Sequence, residues 1–250
     1  MGESVHEPAL YYRNNLESLL NILECCVKYK IPNFIFSSSC SVYGNTDVLP
    51  VTETTPLQKA ESPYGHTKQI GEGIIEHFCK KNPELNAIIL RYFNPAGAHE
   101  SGLIGEESWG KPIYLTPVIM EVAKGNMESL TVFGNDYDTR DGSCIRDFIH
   151  VMDLAQAHTD SLNFLKNKKN TLNCDIFNLG IGDGVTVLEA IQAYEKMSGK
   201  PLNYTIGERR AGDVIAIYSN YDKARELLGW QPQYTIEDIM RTAIKYKFGE

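Results

Sequence analysis

The chain has 250 residues, of which 42% are hydrophobic and 22% charged, and its formal net charge is -8. This composition is typical of a globular protein with a sizeable core, the acidic balance argues against nucleic-acid binding, and no apolar run approaches the ~18–20 residues that span a bilayer. The six cysteines form no C-x-x-C pair and no secretory signal precedes them, so we expect reduced thiols, a cytoplasmic location and no membrane partner.

The first part of the chain alternates helix and strand. Apolar residues spaced three or four apart predict a helix over residues 8–30, and residues 33–37 are typical of a short buried strand. Ser62 as N-cap and Pro63 as first helical residue predict the start of the next helix. A second strand is predicted over residues 87–93. Near-continuous apolar strands separated by a helix indicate a parallel sheet covered on both faces.

The second part of the chain has shorter and more mixed elements. Helices are predicted at 115–124, 151–166, 187–198, 222–228 and 236–246, strands at 130–133 and 175–179, and loops at 97–111 and 137–146. The predicted fold class is α/β, an N-terminally truncated doubly wound (Rossmann-type) parallel sheet with a smaller α+β substrate-binding part. We assign residues 1–95 to the remainder of the sheet domain, which strand 174–180 rejoins, and residues 96–250 mainly to the second part.

A glycine-rich stretch invites interpretation as a dinucleotide-binding loop. Gly180, Gly182 and Gly184 follow a strand and precede a helix. Gly184 does not stand at the position of the third glycine in the G-x-G-x-x-G motif, and the acidic residue that ends the next strand in that motif is missing. A turn into a helix capped by Thr186 is favoured. The strand–turn–helix that holds the pyrophosphate in such folds is not found in the sequence.

One group of residues suggests a metal site. His150 and His158 lie eight residues apart with Asp153 between them, a spacing that would require a strained site. We therefore predict no metal, and expect Asp153 to cap or open the helix that follows it.

Ser39, Tyr64 and Lys68 form the strongest candidate for catalysis. A free phenol has a pKa near 10 and is a poor base at neutral pH. A lysine four residues later on a helix lies on the same face, where its charge favours the phenolate. Ser39, at the end of the first strand, can share the same proton. This chemistry requires a hydride carrier such as a nicotinamide.

An ordered set of motifs carries a family resemblance across essentially the whole chain. The stretches are 11–15 (YYRNN), 34–39 (FIFSSS) with 42–44 (VYG), 62–65 (SPYG) with Lys68, 90–95 (LRYFNP), 133–137 (FGNDY), 145–151 (IRDFIHV), 178–180 (NLG) and 209–213 (RRAGD). In these stretches the chain resembles the extended short-chain dehydrogenase/reductase family, and within it the NAD-dependent nucleotide-sugar 4-epimerases.

The resemblance implies a reaction at C4 of a UDP-linked sugar with tightly bound NAD, interconverting UDP-glucose and UDP-galactose. Tyr64 would take the proton of the 4-hydroxyl, Lys68 would lower the pKa of Tyr64 and hold the nicotinamide ribose, and Ser39 would bind the reacting oxygen. Asn14 and Phe93 match family positions that touch NAD. A homodimer is also implied.

The resemblance places the nucleotide-sugar site in the second half of the chain. The matching positions are Asn94, Leu115, Phe133, Arg146, Arg210, Asp213 and Ile217. Arginines suit a diphosphate, because their guanidinium groups bind phosphate oxygens with charge-assisted hydrogen bonds. Arg140, in contrast, is expected to be a solvated charge or a weak ion pair. Tyr114 stands where relatives have an asparagine, which alters one uridine-side contact.

There are three alternatives to this function. Dehydratases of this fold place Asp-Glu after the strand serine, but Cys40 and Ser41 stand here, so elimination of water is disfavoured. The intermediate size of Ile217 leaves UDP-N-acetylglucosamine open as a substrate. Because the sequence lacks a glycine-rich NAD loop, the chain is alternatively a truncated, inactive fragment of such an epimerase.

Overall fold

The structure is a computed structural model and describes residues 2–107, 110–210 and 213–249. Its strands are β1 (Asn33–Ser39), β2 (Asn86–Tyr92), β3 (Asn94–Ala96), β4 (Leu130–Phe133), β5 (Ile145–Arg146), β6 (Phe148–His150), β7 (Cys174–Leu179), β8 (Val185–Thr186), β9 (Tyr204–Gly207) and β10 (Ala216–Ile217). Its α-helices are α1 (Gly2–His6), α2 (Pro8–Tyr12), α3 (Ser18–Lys28), α4 (Pro63–Lys81), α5 (Leu115–Ala123), α6 (Val151–Lys166), α7 (Val187–Ser198) and α8 (Ile236–Phe248). Parallel pairing dominates these strands, which confirms the predicted α/β class.

The chain divides into two compact units, each made of several segments. The first comprises residues 1–92, 156–179 and 220–230, and the second residues 93–155, 180–219 and 231–250. Helix α6 begins in a segment of the second unit and ends in a segment of the first.

A three-stranded parallel sheet in the order β1-β2-β7 organises the first unit. Ser39 pairs with Tyr92, and Tyr92 pairs with Leu179, so the carboxyl ends of the three strands meet at one edge. In open α/β sheets ligands bind at that edge. Helices α3 and α4 pack on the sheet through Leu23, Ile75 and their apolar neighbours, which removes one face from water.

Local signals determine how α4 begins. The Ser62 hydroxyl accepts a hydrogen bond from the Gly65 N–H at 3.2 Å, and Pro63 is the first helical residue. The cap satisfies an N–H group that has no partner within the helix, and proline at this position loses no hydrogen bond. Both predicted roles are confirmed, and they fix where Tyr64 and Lys68 lie on the helix.

The second unit has short strand pairs and a separate apolar core. β3 pairs with β6 and β4 with β9, while β5 lies between β10 and β8. The core joins residues of α5, α7 and α8, with Ile119, Ile191 and Ile239 nearly inaccessible. A capping box at Thr186 starts α7, as predicted for the end of the glycine turn.

Several predicted element bounds require correction. The helix expected over 8–30 consists of α2, a π-helical turn at Arg13–Glu17 and α3, and it ends at Lys28. The 137–146 loop prediction was wrong at its end, because Ile145–Arg146 is a strand. The predicted 222–228 helix is π-helical over Ala224–Leu228. In the parts of the chain that the structure describes, none of the helices is both long and apolar enough to cross a bilayer.

Candidate functional site

Ser39 ends β1 at the carboxyl edge of the sheet in the first unit. Its hydroxyl oxygen accepts hydrogen bonds from the Ser41 N–H (3.2 Å) and the Ser41 hydroxyl (3.0 Å), and a short 3₁₀ helix follows at Cys40–Tyr43. Two donors facing one oxygen leave the hydroxyl hydrogen of Ser39 to point elsewhere. Ser39 is therefore set up to donate a hydrogen bond.

Tyr64 and Lys68 lie one turn apart on α4. The Lys68 ammonium donates to the Ser37 carbonyl at 2.8 Å and lies 5.6 Å from the centre of the Tyr64 ring. Burial lowers the pKa of Lys68, and the nearby Glu72 carboxylate acts in the opposite direction. The bond to Ser37 ties the helix to the strand that carries Ser39, so the first unit holds all three residues on two linked elements.

A buried ion pair beneath these residues was not predicted. Arg91 on β2 donates from Nε and Nη2 to the two carboxylate oxygens of Glu72, at 3.0 and 2.6 Å, and both side chains are at most 5% exposed. The Ser38 hydroxyl donates to the same carboxylate at 2.5 Å. A glutamate on a helix and an arginine in an apolar strand give no local pattern, so only the fold reveals this pair.

Asn14 and Phe93 are the other residues predicted to contact NAD. Asn14 is exposed in the π-helical turn, and its neighbour Asn15 donates to the Thr67 hydroxyl on α4 at 2.9 Å. Phe93 belongs to the second unit and is 4% exposed, so little of its side chain is accessible.

Four of the predicted substrate residues form a cluster in the second unit, here called the arginine cluster: Phe133, Arg146, Arg210 and Asp213. The Asp213 carboxylate accepts from Arg210 at 2.6 Å and lies 3.7 Å from Arg146. The Arg210 guanidinium lies 5.3 Å from the centre of the Phe133 ring, which is 42% exposed. Two arginines beside one carboxylate and an exposed aromatic ring can bind an anionic group next to a flat ring.

The remaining predicted substrate residues lie on nearby elements of the same unit. Ile217 pairs with Arg146 between β10 and β5, which places it beside the arginine cluster, and it is 7% exposed. Asn94 begins β3, where its N–H donates to the Asp147 carbonyl at 2.9 Å. Leu115 is the first residue of α5, and Tyr114 before it is exposed and gives the helix no side-chain cap.

Asp147 explains the glycine turn that resembles a phosphate loop. Its buried carboxylate accepts from the Ile181 N–H (2.6 Å) and from the Ser219 N–H (2.9 Å) and hydroxyl (2.8 Å). A Cβ at Gly180 would overlap Asp147 and Ser219. The space at Gly180 is therefore filled by the protein's own carboxylate, which does not suit a phosphate. The sequence could have indicated this only through the strand register, which was not predictable.

His150 is buried, and each of its ring nitrogens lies next to a polar group of the protein. Its ring stacks on Tyr234 with centroids 4.1 Å apart, Nε2 lies 3.0 Å from the Thr242 hydroxyl, and Nδ1 accepts from the Met152 N–H. Burial lowers the pKa of His150 to about 4. Within the described ranges, no group of three His, Cys, Asp or Glu side chains could hold a metal ion.

Asp153 and Arg140 both form polar contacts within the second unit. Asp153 lies in the first turn of α6, at the start of the helix as predicted, and its carboxylate accepts from the N–H groups of Gln233 and Tyr234 at 3.0 and 3.2 Å, which ties a loop to this end of the helix. Arg140 forms the predicted ion pair, with Glu189 at 2.6 Å and with both side chains more than one third exposed.

Comparison with known proteins gives consistent relatives. The sequence-family model described as GDP-mannose 4,6 dehydratase matches residues 1–243. Human UDP-glucose 4-epimerase is 47% identical over 92% of the chain, which spans 65% of the human protein's length. The crystal structure of Bifidobacterium longum UDP-glucose 4-epimerase in complex with NAD+ and UDP superposes with a TM-score of 0.92, at 43% identity over 99% of this chain and 73% of that one. The Campylobacter jejuni UDP-Glc/GlcNAc 4-epimerase gives a TM-score of 0.82 at 39% identity, covering 98% and 73% of the two chains.

Proposed function

Because the chain belongs to the UDP-glucose 4-epimerase family, we propose that it interconverts UDP-glucose and UDP-galactose at sugar C4 with NAD as cofactor. The observation that carries this proposal is the link between α4 and β1, in which Lys68 bonds to Ser37 beside Ser39 and lies near Tyr64. This arrangement supplies a base, a cation that favours its ionised form, and a hydrogen-bond donor.

In the proposed reaction, Tyr64 takes the proton of the sugar 4-hydroxyl and Lys68 stabilises the phenolate that performs this step. Ser39 donates a hydrogen bond to the same sugar oxygen, and this bond strengthens as the oxygen loses its proton and gains negative charge. NAD, when bound, would supply the acceptor of the C4 hydride and, once the 4-ketose has turned over, its donor to the opposite face. After the 4-ketose has turned over in the site, Tyr64 returns the proton, so the sugar leaves with C4 inverted and neither proton nor hydride is consumed.

The residues present fit the nicotinamide-ribose end of NAD. The Lys68 ammonium has three hydrogens and uses one of them on the Ser37 carbonyl, so others can reach ribose hydroxyls. The turn at 180–184 does not fit the pyrophosphate, since Asp147 and Ser219 fill it. We assign Asn14 and Phe93 to the NAD side and the first unit mainly to NAD binding.

The arginine cluster supports a UDP-linked substrate. Arg146 and Arg210 would bind the diphosphate, Asp213 holds both guanidinium groups in place, and Phe133 offers an exposed ring to the nucleotide. Asn94, Leu115 and Ile217 would complete the pocket around uridine and sugar. The chemistry at β1 favours epimerisation over dehydration, because neither Cys40 nor Ser41 supplies the carboxylic acid that elimination requires. We further propose a cytoplasmic homodimer.

The direct test is turnover of UDP-galactose by the chain, with NAD binding measured by calorimetry. We expect Tyr64→Phe to reduce turnover by about 10²-fold or more, since general-base catalysis contributes that much. Tyr29→Phe, at a position 65% exposed in the same unit, serves as the control. Turnover by Tyr64→Phe within a few-fold of the parent would show that the base is misassigned. Absence of NAD binding would favour the alternative of an inactive fragment.

Substrate choice needs a separate comparison. The C. jejuni relative is described as acting on both UDP-Glc and UDP-GlcNAc. Replacing Ile217, which neighbours Arg146, by alanine enlarges the site. We expect this change to raise the ratio of UDP-N-acetylglucosamine to UDP-galactose turnover; an unchanged ratio would remove Ile217 from the specificity pocket.

A further inference from the structure

The buried ion pair Glu72–Arg91 adjoins the residues proposed to carry out the proton transfer. We propose that Glu72, fixed by Arg91, is a positioning residue that aligns Lys68 and Ser39 and sets a carboxylate one helical turn from Lys68. This inference rests on the proposed function for its catalytic meaning, although its central measurement does not.

Helix α4 presents three polar side chains in a row. Tyr64, Lys68 and Glu72 follow one another at intervals of four residues, so they lie along one face of the helix. Glu72 is 3% exposed, which is rare for a carboxylate. A buried charge at this point on the helix must be fully bonded to be tolerated.

Two hydrogen bonds link α4 to β1. The Ser37 carbonyl accepts from Lys68 at 2.8 Å, and the Ser38 hydroxyl donates to Glu72 at 2.5 Å. Consecutive strand residues are thus bonded to consecutive turns of the helix. The next strand residue is Ser39, so these two bonds set where its hydroxyl lies relative to α4.

Side chains from the sheet hold the Glu72 carboxylate in place. Arg91 binds both oxygens of Glu72, and its Nη1 donates to the Tyr43 hydroxyl at 3.1 Å. The Tyr43 hydroxyl donates in turn to the Asn178 side chain on β7 at 2.6 Å. One network therefore joins all three strands, α4 and the 3₁₀ turn after Ser39, and a movement of Glu72 would be resisted from each of them.

The charge of Glu72 also acts on Lys68. Among the described residues, Tyr64 and Glu72 flank Lys68 on α4. Arg91 from β2 binds Glu72, and the Nε2 of His158 from α6 lies 3.5 Å from the hydroxyl of Ser37, whose carbonyl Lys68 binds. Burial favours neutral Lys68, while Glu72 favours the ammonium. A pair that served only packing would leave the charge of Lys68 unaffected.

The test measures the pKa of Lys68 by NMR of the chain labelled with ¹³C-lysine, assigned with a Lys68→Arg spectrum. We expect Glu72→Gln to lower the pKa of Lys68 by about one unit, because a neighbouring opposite charge shifts a pKa by this order. Glu76→Gln, which removes an exposed carboxylate one turn further along α4, is the control and should leave it unchanged. An unaltered Lys68 pKa in folded Glu72→Gln would overturn the proposal.

A second variant covers the case in which Glu72→Gln fails to fold, since it leaves Arg91 buried without its partner. Glu72→Gln/Arg91→Met removes both charges together and should show a smaller downward shift, because loss of the Arg91 charge acts in the opposite direction; a Lys68 pKa equal to that of the parent would contradict the proposal. The alignment itself is tested by Ser38→Ala, which keeps every charge. We expect kcat to fall about tenfold with KM unchanged, beyond the loss of stability that removing a buried hydrogen bond causes, and an unchanged kcat would contradict the alignment. If neither the parent chain nor any variant turned over substrate, the proposed function would be wrong. The Lys68 titration does not require turnover, so it would still decide the role of Glu72.

Discussion

Asp147 shows how much of the second unit depends on one side chain. Its carboxylate accepts hydrogen bonds from Ile181 and Ser219, and its carbonyl accepts from Asn94. Burial raises the pKa of this carboxyl, and the hydrogen bonds it receives act against that rise. The residue thus joins β3, the glycine turn and the segment after Ile217, directly beside Arg146.

Asp147→Asn is therefore expected to be destabilising. The amide group would turn a donor towards backbone N–H groups that need an acceptor, which costs about 2–3 kcal/mol of unfolding free energy. Chemical denaturation measures the change, with Asp138→Asn at an exposed position as the control. Equal stability of both variants would show that the hydrogen bonds to Asp147 are replaceable.

His150 predicts a pH dependence of stability. Its pKa of about 4 in the folded chain lies below the ordinary value near 6.5, because the ring is buried and the Arg241 charge adds to this effect against Glu100 and Asp238. The unfolded chain then binds the proton first, so stability falls as the pH drops from about 6.5 to about 4, by up to about 3 kcal/mol. His150→Gln should flatten this part of the profile, whereas His77→Gln at an exposed position should not. Parallel profiles for His150→Gln and the parent would exclude His150 as the cause.

Among individual residues, the sequence predicted those that belong to a local capping pattern or to a family motif. Ser62 and Pro63 lie where predicted, and the arginine cluster assembles four residues from separated motifs. Glu72 and Arg91 were missed, because their partnership depends on the packing of a helix against a strand.

Among the elements, α4 contains three glycines, and two of them, Gly71 and Gly73, have opposite surroundings. A Cβ at Gly71 would lie 3.1 Å from Phe36 and 3.2 Å from Leu19, whereas nothing lies within 4 Å at Gly73. Gly71 therefore allows α4 to approach β1 and α3 closely, while Gly73 only weakens the helix.

This contrast gives a matched pair of substitutions. Gly73→Ala should raise the free energy of unfolding by about 0.5–1 kcal/mol, the difference in helix propensity. Gly71→Ala should gain less or lose stability, because Phe36 and Leu19 must move. Thermal and urea unfolding compare the two; a larger gain at Gly71 would mean that the helix can shift away from the sheet at no cost.

Long elements were predicted better than short ones. Helices α6 and α7 begin and end where periodicity and capping place them. The two-residue strands β5, β8 and β10 were missed or left in loops, since two residues carry no periodicity and their pairing is determined by distant segments. The π-helical turns likewise have no recognisable sequence pattern.

For the molecule as a whole, the residues assigned to NAD and those assigned to UDP fall largely in different compact units. We expect their effects on binding to be separable. Arg146→Gln should weaken UDP binding by about tenfold or more, the loss expected for a charge-assisted phosphate contact, while Lys68→Met should change it less than about twofold. Calorimetry with UDP measures both, and Arg225→Gln in the first unit is the control. Equal weakening by Lys68→Met would contradict the division of roles.

The strand order β1-β2-β7 has a consequence for how the chain is made. Residue Ala87 pairs with Cys174, so the sheet of the first unit stays incomplete until a long stretch of the second unit has been synthesised. Until then β2 has an open edge, which can pair with other chains. Such long-range parallel pairing is slow to form, and on the ribosome it makes chaperone protection of the nascent chain most important between the emergence of β2 and that of β7.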